Sequence, residues 1–566
     1  MMRPRSALAN ARGGRVRGIR VFVLVAIGIA TACSASAQTL VDFRDSAYRT
    51  PIPDAPPCDV IITKANAATT LFLLDDPRYR SFCITPGDYR GVRRRLILNS
   101  SGTQSAPRHL RFAAFDGLRA IERGERAIVE AVHIFGSWWV IQGLTVLPRD
   151  PDTEDYIGIY GGDHNIIDGN LVDGIQHPNV YPPTGIEVTG YYGNPGNYNS
   201  VQANVVRNGD QTRTATDYDG IAVREGSWPG ENNSYNRVTD NEVSDWGDGV
   251  TVSGHRDDCA EPGMQYGTIV DNNDIYLTSN KRVDCATAAP NPNGACACAE
   301  NGIDVKAEPG PLKHNWTRLT NNRIWGYRPT PAVRCGGSGA EGQGVTAGNA
   351  CAGHVLVAHN IIQNSSTGLV TAGSDWIVAS NLFHDIRFSS GRPDAGQIAL
   401  WPGPKSSNVE VQFNTIVGVD DAYSDSGPNV DTRCNAVIDN RARHTSLGGV
   451  RAVNHTTAYN FLYASPRGRF LGNTNSIFAS AADSGNAEYC YWRRRWTAPE
   501  LVCIPYGATT SKSPHRLAVG FCDEDLLADF GIPKIGFPAS APGCGLGAEV
   551  ALVLPLLRRW QRRTRS

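Results

Sequence analysis

The chain has 566 residues, long for one globular core but no obstacle to a solenoid, which adds layers without that limit. It is 41% hydrophobic with 59 Gly and only 3 Met, and long amphipathic helical patterns are rare, which argues for an all-β chain with many corners. Its formal charge of −1 conceals an acidic body: eleven arginines and one glutamate sit in the terminal segments, and residues 38–543 carry 43 basic against 54 acidic side chains, a net of −11 that disfavours nucleic acid as a partner.

Residues 1–37 read as a signal peptide. Six arginines up to Arg20 precede the apolar run Val21 to Ala30, and Ala35-Ser36-Ala37 is a signal-peptidase-like site before Gln38. Ile29-Ala30-Thr31-Ala32-Cys33 loosely resembles a lipobox, so lipoprotein processing at Cys33 is the alternative. The apolar run is too short for a membrane span. Export places the chain in an oxidising compartment, where the twelve cysteines left without Cys33 and Cys544 form an even set suited to disulfides. Cys58 with Cys83 and Cys335 with Cys351 are local pairs. Cys259, Cys285, Cys296 and Cys298 offer a zinc site as the competing use.

Residues 38–125 are expected to form an N-terminal cap and the first coils. Phe82-Cys83-Ile84-Thr85-Pro86-Gly87-Asp88-Tyr89-Arg90-Gly91, followed by Ser100-Ser101-Gly102-Thr103, resembles the opening coils of secreted β-helix proteins that degrade polysaccharides. A solenoid end exposes strand edges and core, so it must be capped.

The repeats fill residues 126–465. Six segments place a glycine or polar residue before an aliphatic–any–aliphatic triplet: Thr184–Val188, Asp219–Val223, Asp248–Val252, Asn301–Val305, Thr367–Thr371 and Gly396–Leu400. Alternation puts Ile186 and Val188 on one strand face and Glu187 on the other. Between them recurs an Asn beside aliphatics, at Asn170, Asn204, Asn241, Asn273, Asn322, Asn360, Asn381 and Asn414. Asn tolerates the left-handed backbone of a tight corner, and its amide can bond the next layer. Each coil reads as strand, Asn corner, strand, loop and Gly-led strand. The pattern resembles the right-handed parallel β-helix of the pectate lyase-like superfamily. A β-sandwich or propeller is the competing architecture, but hairpin turn signals are scarce. Long insertions fall at 255–268, 280–299 and 328–351.

Residues 466–535 read as a C-terminal cap with a short helix at Glu524 to Phe530. Residues 536–566 read as a linker and tail: Gly543-Cys544-Gly545-Leu546-Gly547, an apolar run to Leu557, then Arg558, Arg559, Arg562, Arg563 and Arg565. This resembles bacterial sorting tails and implies transient membrane association and a cell-surface or secreted location. A bare interfacial helix is the alternative. The protein is expected to be monomeric.

Stacked in register, the segments project Glu187, Ala222, Thr251, Asp304, Val370 and Ala399 in one outward column, and Thr189, Arg224, Ser253, Lys306, Ala372 and Trp401 in the next. Asp219, Asp248 and Asn301 precede the glycines. Asp304 and Lys306 share a face about 7 Å apart. β-Elimination on a uronate needs a cation or arginine to neutralise the carboxylate and a base to take the adjacent proton. Lys306 is the candidate base and Arg224 the candidate grip on substrate. Asp304, Glu300, Asp248 and Asp219 are candidate calcium ligands. Glu187, His255 and Trp401 are candidate substrate contacts, and Trp228, Trp325 and Tyr327 further stacking platforms. An Asp-x-Lys pair on a strand also occurs as a plain solvated ion pair. The string Glu300 to Glu308 resembles the Asp-x-Lys region of pectate lyase-like proteins, which implies a cation-assisted lyase of extracellular polysaccharide. Two other readings stay open: a non-catalytic glycan-binding or adhesion module, and a glycoside hydrolase using Asp304 with Asp248 or Glu187.

Overall fold

The computed structural model describes residues 46–438 except 116–123, 150–154, 175–183, 210–218, 227–230, 232, 255–264, 279–299, 308–310, 329–341, 348–351, 388–397, 424–426 and 434. It also describes residues 527–530 and the backbone of strands at 39–41 and between 456 and 505. Residues 1–37, read as a signal peptide, and residues 536–566, read as a linker and sorting tail, lie outside the described residues. Among the described residues no helix is long and apolar enough to cross a membrane.

The chain winds as an all-β parallel β-helix with three ladders. The first ladder contains the Gly-led strands, among them Asp155–Tyr160, Thr184–Thr189, Asp219–Arg224, Asp248–Ser253, Asn301–Lys306 and Gln343–Ala347. The second runs from Val60–Ile62 through Ser81–Ile84, Arg108–Phe112 and Trp139–Gln142 to Thr456–Ala458 and Asn473–Thr474. The third is a fourteen-stranded parallel sheet that follows the Asn corners. In late coils Thr367–Ala379 and Ile398–Gln412 pass unbroken from the first ladder into the second, which fuses those two into one sheet.

Inward aliphatics build the core. Ile157, Ile186, Ile221, Val250, Ile303, Val345 and Leu369 stack as one fully buried column. The glycine that precedes each of these from Ile186 to Leu369 has a packing reason. A Cβ on Gly249 would fall 2.2 Å from the Ile275 side chain, and one on Gly302 would fall 2.3 Å from Ile324. At these coils the first ladder comes close to the third ladder's aliphatic because it carries no side chain there.

The Asn corners form a continuous hydrogen-bonded column. Asn170, Asn204, Asn241, Asn273, Asn322, Asn360, Asn381 and Asn414 all belong to it, and Asn435 extends it. Asn273 donates its backbone N–H (3.1 Å) and its Nδ2 (2.9 Å) to Asn322 Oδ1. Asn322 donates in turn to Asn360 Oδ1 at 3.0 Å and to the Val270 carbonyl at 2.9 Å. The left-handed backbone belongs to the residue before each Asn, not to the Asn: Ala203, Asp240, Asn272, Asn321, His359, Ser380 and Phe413 have φ between 53° and 59°. The Asn is there for its amide.

Two outer faces are covered. The segment around Ser46 to Thr50 crosses the second ladder. Arg49 pairs with Asp168 at 3.0 Å, the Thr50 N–H donates to Gln202 Oε1 at 3.0 Å, and the Ser46 N–H donates to Asp240 Oδ1 at 2.9 Å. Further along the same ladder, Leu527 and Phe530 pack on Trp316, Leu356 and Ile377. Of the short helix expected at Glu524 to Phe530, the first three residues lie outside the described residues, and Ala528–Phe530 form a 3-10 turn. On the third ladder Asp173 pairs with Arg207, Asp274 with Arg323, and Tyr276 stacks on Trp325. Cys58 and Cys83 are disulfide-bonded at the start of the second ladder, as expected; the second expected pair, Cys335 with Cys351, and the four cysteines of the competing zinc site, Cys259, Cys285, Cys296 and Cys298, lie outside the described residues.

Asn322→Ala leaves the buried Asn273 N–H without its acceptor and takes the Asn322 amide away from the Val270 carbonyl and from Asn360 Oδ1, which keeps only the backbone N–H of residue 322. It should lower stability by about 3 kcal/mol. Denaturant unfolding that matches wild type would show the column to be incidental.

Candidate functional site

The first ladder brings the distant acidic and basic side chains together. Register pairs Asp219 with Asp248 and Asp248 with Asn301 in the column before the glycines. Glu187, Ala222, Thr251, Asp304 and Thr346 follow each other in the next outward column. Thr189, Arg224, Ser253 and Lys306 form the outermost one. Arg224 and Lys306 are therefore two strands apart, about 10 Å.

Each cation is seated on a carboxylate. Lys306 Nζ lies 2.8 Å from Asp304, and a third of each cationic side chain remains exposed. Arg224 folds back along its own strand to pair with Asp219, and its other nitrogen lies 3.9 Å from Glu187. That arch passes over Ala222, so a larger residue there would block it. Strand Asp155–Tyr160 repeats the arrangement: the Tyr160 hydroxyl donates to Asp155, and the Tyr160 ring covers Gly158. Thr251 donates to Asp219 from the next coil.

Asp248, Asp304 and Glu300 are all buried, the first two only 3% exposed. The Asn301 amide donates to Asp248 at 2.9 Å. Burial, and then the charges of Asp304 and Glu300, push the Asp248 carboxyl well above the ordinary carboxylate range, although Lys306 and the Asn301 amide pull the other way. Two cations on the rim thus overlie a buried acidic floor.

The expected calcium ligands are on this face, but they do not form a cage. Asp219 is held by Arg224 and Thr251, Asp248 by Asn301, and Asp304 by Lys306. Among the described residues no three carboxylate, imidazole or thiol groups converge as metal ligands.

Other expectations fall differently. The sixth segment is out of register by two residues: Leu400 pairs with Leu369, and Trp401 with Val370. Ala399 therefore occupies the glycine column and is buried, not outward. Trp401 stays on the face but continues the Asp304 column three strands further on. Trp325 and Tyr327 are buried in packing and cannot serve as platforms. His255 and Trp228 lie outside the described residues. The span 328–351, read as an insertion, contains the ladder strand Gln343–Ala347, whose Gly344 keeps the glycine column going. That segment and Asp155–Tyr160 carried the same signal as their neighbours, diluted by adjoining glycines in one and by Tyr156 in the glycine position in the other. A cavity of about 470 Å³ lies elsewhere, on the second ladder between Trp376 and Asp529.

No protein family matches the sequence, and no curated protein is similar to it. Some solved structures are similar to it over part of the chain. The PL6 family alginate lyase AlyGC is 13% identical with a TM-score of 0.48, covering 80% of this chain and 57% of that one. The PL6 family polysaccharide lyase from Pseudopedobacter saltans is 12% identical with a TM-score of 0.42, covering 74% and 91%. Pectate lyase Pel9A is 15% identical with a TM-score of 0.34, covering 63% and 80%. This chain thus spans little more than half the length of AlyGC.

The Asp248 carboxyl binds its proton more tightly in the folded state than in the unfolded one. It therefore withdraws stability as the pH rises above about 4. Asp248→Asn should raise the thermal midpoint at pH 7, and the gain should vanish towards pH 4. A variant no more stable than wild type at pH 7 would contradict a buried acidic floor.

Proposed function

We propose that the protein is an exported lyase that cleaves a uronate-containing polysaccharide by β-elimination on the first ladder. The supporting observation is the pair of half-exposed cations, Arg224 and Lys306, held in register on an otherwise acidic protein. An anionic chain avoids a surface of net negative charge except where a local basic patch reverses the field. These two side chains supply that patch, and they do the neutralising that a calcium ion was expected to do.

Arg224 binds the uronate carboxylate, which acidifies the proton on the adjacent ring carbon. Its fork suits a carboxylate better than an ammonium does. Closure of the sugar over the Lys306–Asp304 pair removes water, and a desolvated ion pair favours proton return to the carboxylate. The amine then takes the ring proton. The bond to the glycosidic oxygen breaks, its electron pair leaves with that oxygen, and a ring double bond forms. The proton on Asp304 passes to the departing oxygen by way of Lys306. Asp248 lies beneath, and its raised affinity for a proton limits the negative charge of the floor. A hydrolase reading has less support, because Asp248 and Asp304 are both buried and a hydrolase needs two carboxylates reaching the sugar.

Incubation with alginate, pectic and glycosaminoglycan chains should generate unsaturated ends that absorb in the ultraviolet. Lys306→Ala and Arg224→Ala should each lower that rate at least a hundredfold, and a chelator should leave it unchanged. Reducing ends without ultraviolet absorbance, or full activity in Lys306→Ala, would overturn the proposal.

A further inference from the structure

Beside the charged face, one end of the first ladder carries a group of aromatic rings that the elimination chemistry does not use. Phe135 follows strand Val132–Ile134, Tyr160 ends the next strand, and Tyr191 follows Thr184–Thr189. Three successive coils thus place a ring at one edge. Phe135 and Tyr160 stack at 5.3 Å, and Tyr191 meets them at 5.5 and 5.7 Å. Tyr192 meets Tyr191 edge-on at 4.3 Å. Tyr191 is 39% exposed and Tyr192 72% exposed.

The backbone under Tyr192 argues against a purely structural role. Tyr191 and Asn194 exchange two backbone hydrogen bonds of 2.9 and 3.0 Å, closing a two-residue turn. Both central residues are left-handed, Tyr192 at φ 49° and Gly193 at φ 78°. Such turns favour Gly, Asn or Asp at both places, and a bulky side chain there is uncommon. The turn is also anchored: the buried Glu231 of the following coil accepts the Gly193 N–H at 2.7 Å. A large, exposed ring is held in a strained but fixed position, which stability alone does not favour.

We infer that Tyr191 and Tyr192, backed by Phe135 and Tyr160, form a stacking platform for pyranose rings of the same acidic polysaccharide. The choice of occupant follows from position. Thr189, two residues before Tyr191, pairs in register with Arg224, so the platform lies one coil from the cation column. A polysaccharide running along the solenoid axis lays carboxylates on Arg224 and Lys306 and its ring faces on the tyrosines. The inference rests on the polysaccharide half of the proposed function and not on the elimination step.

Calorimetric titration of the full chain with polymannuronate, polyguluronate and polygalacturonate fragments, from disaccharide to decasaccharide, tests it. Tyr192→Gly is the informative variant, because glycine relieves the left-handed strain and keeps or raises the thermal midpoint. It should weaken decasaccharide binding about tenfold and leave disaccharide binding as in wild type. Tyr191→Ala should act in the same direction. Wild-type affinity of Tyr192→Gly for the decasaccharide, or no binding of any fragment by the wild-type chain, overturns the platform. Length-dependent binding without unsaturated products would keep the platform and reject the elimination.

Discussion

Asn322 accepts two hydrogen bonds from the layer before it and gives two to the layer after. Repeated through the column from Asn170 to Asn435, this exchange sets the vertical position of every coil against the next. A column of this kind tolerates almost no slippage. A coil displaced by one residue would leave an amide donor and an acceptor buried without partners at each boundary, and would turn core aliphatics outward. Loops of very different length can therefore be inserted elsewhere without disturbing register. The separation between consecutive column members ranges from 21 to 49 residues.

The chemistry of the first ladder follows from that alignment. Asp219, Asp248 and Asp304 are far apart in the chain, yet they occupy successive strands. So many acids on one wall would repel each other, and the fold meets this in two ways. Arg224 and Lys306 fold back over their own strands onto carboxylates, and burial raises the affinity of the Asp248 carboxyl for its proton. The covering of the second ladder by the two chain ends, and the internal pairing on the third, direct polar function towards the first.

Much of this was legible in the residues. The Asn column could be read because one chemical group is required at each step. The Gly-led strands could be read because in most coils the third ladder comes too close for a side chain there, and the outward columns around Asp304 and Lys306 then followed by alternation. Where a requirement is loose, the signal fades. The left-handed corner residue is Ala203, Asp240, His359 or Phe413 in different coils, so no pattern marks it. Ala399 serves in a glycine position, which hid the true register of Leu400 and Trp401. The ring group joining Phe135 to Tyr192 depends on loop paths between coils, and nothing in local spacing announces it.

The account stands on the first ladder being a carboxylate-reading wall that runs along the solenoid axis. A crystal structure with a bound uronate hexasaccharide addresses this most directly. The expected result is a chain parallel to the axis with one sugar carboxylate on Arg224, another at Lys306, and ring faces against Tyr191 and Tyr192. A sugar chain crossing the coils at right angles, or seated in the second-ladder cavity by Trp376, would contradict it.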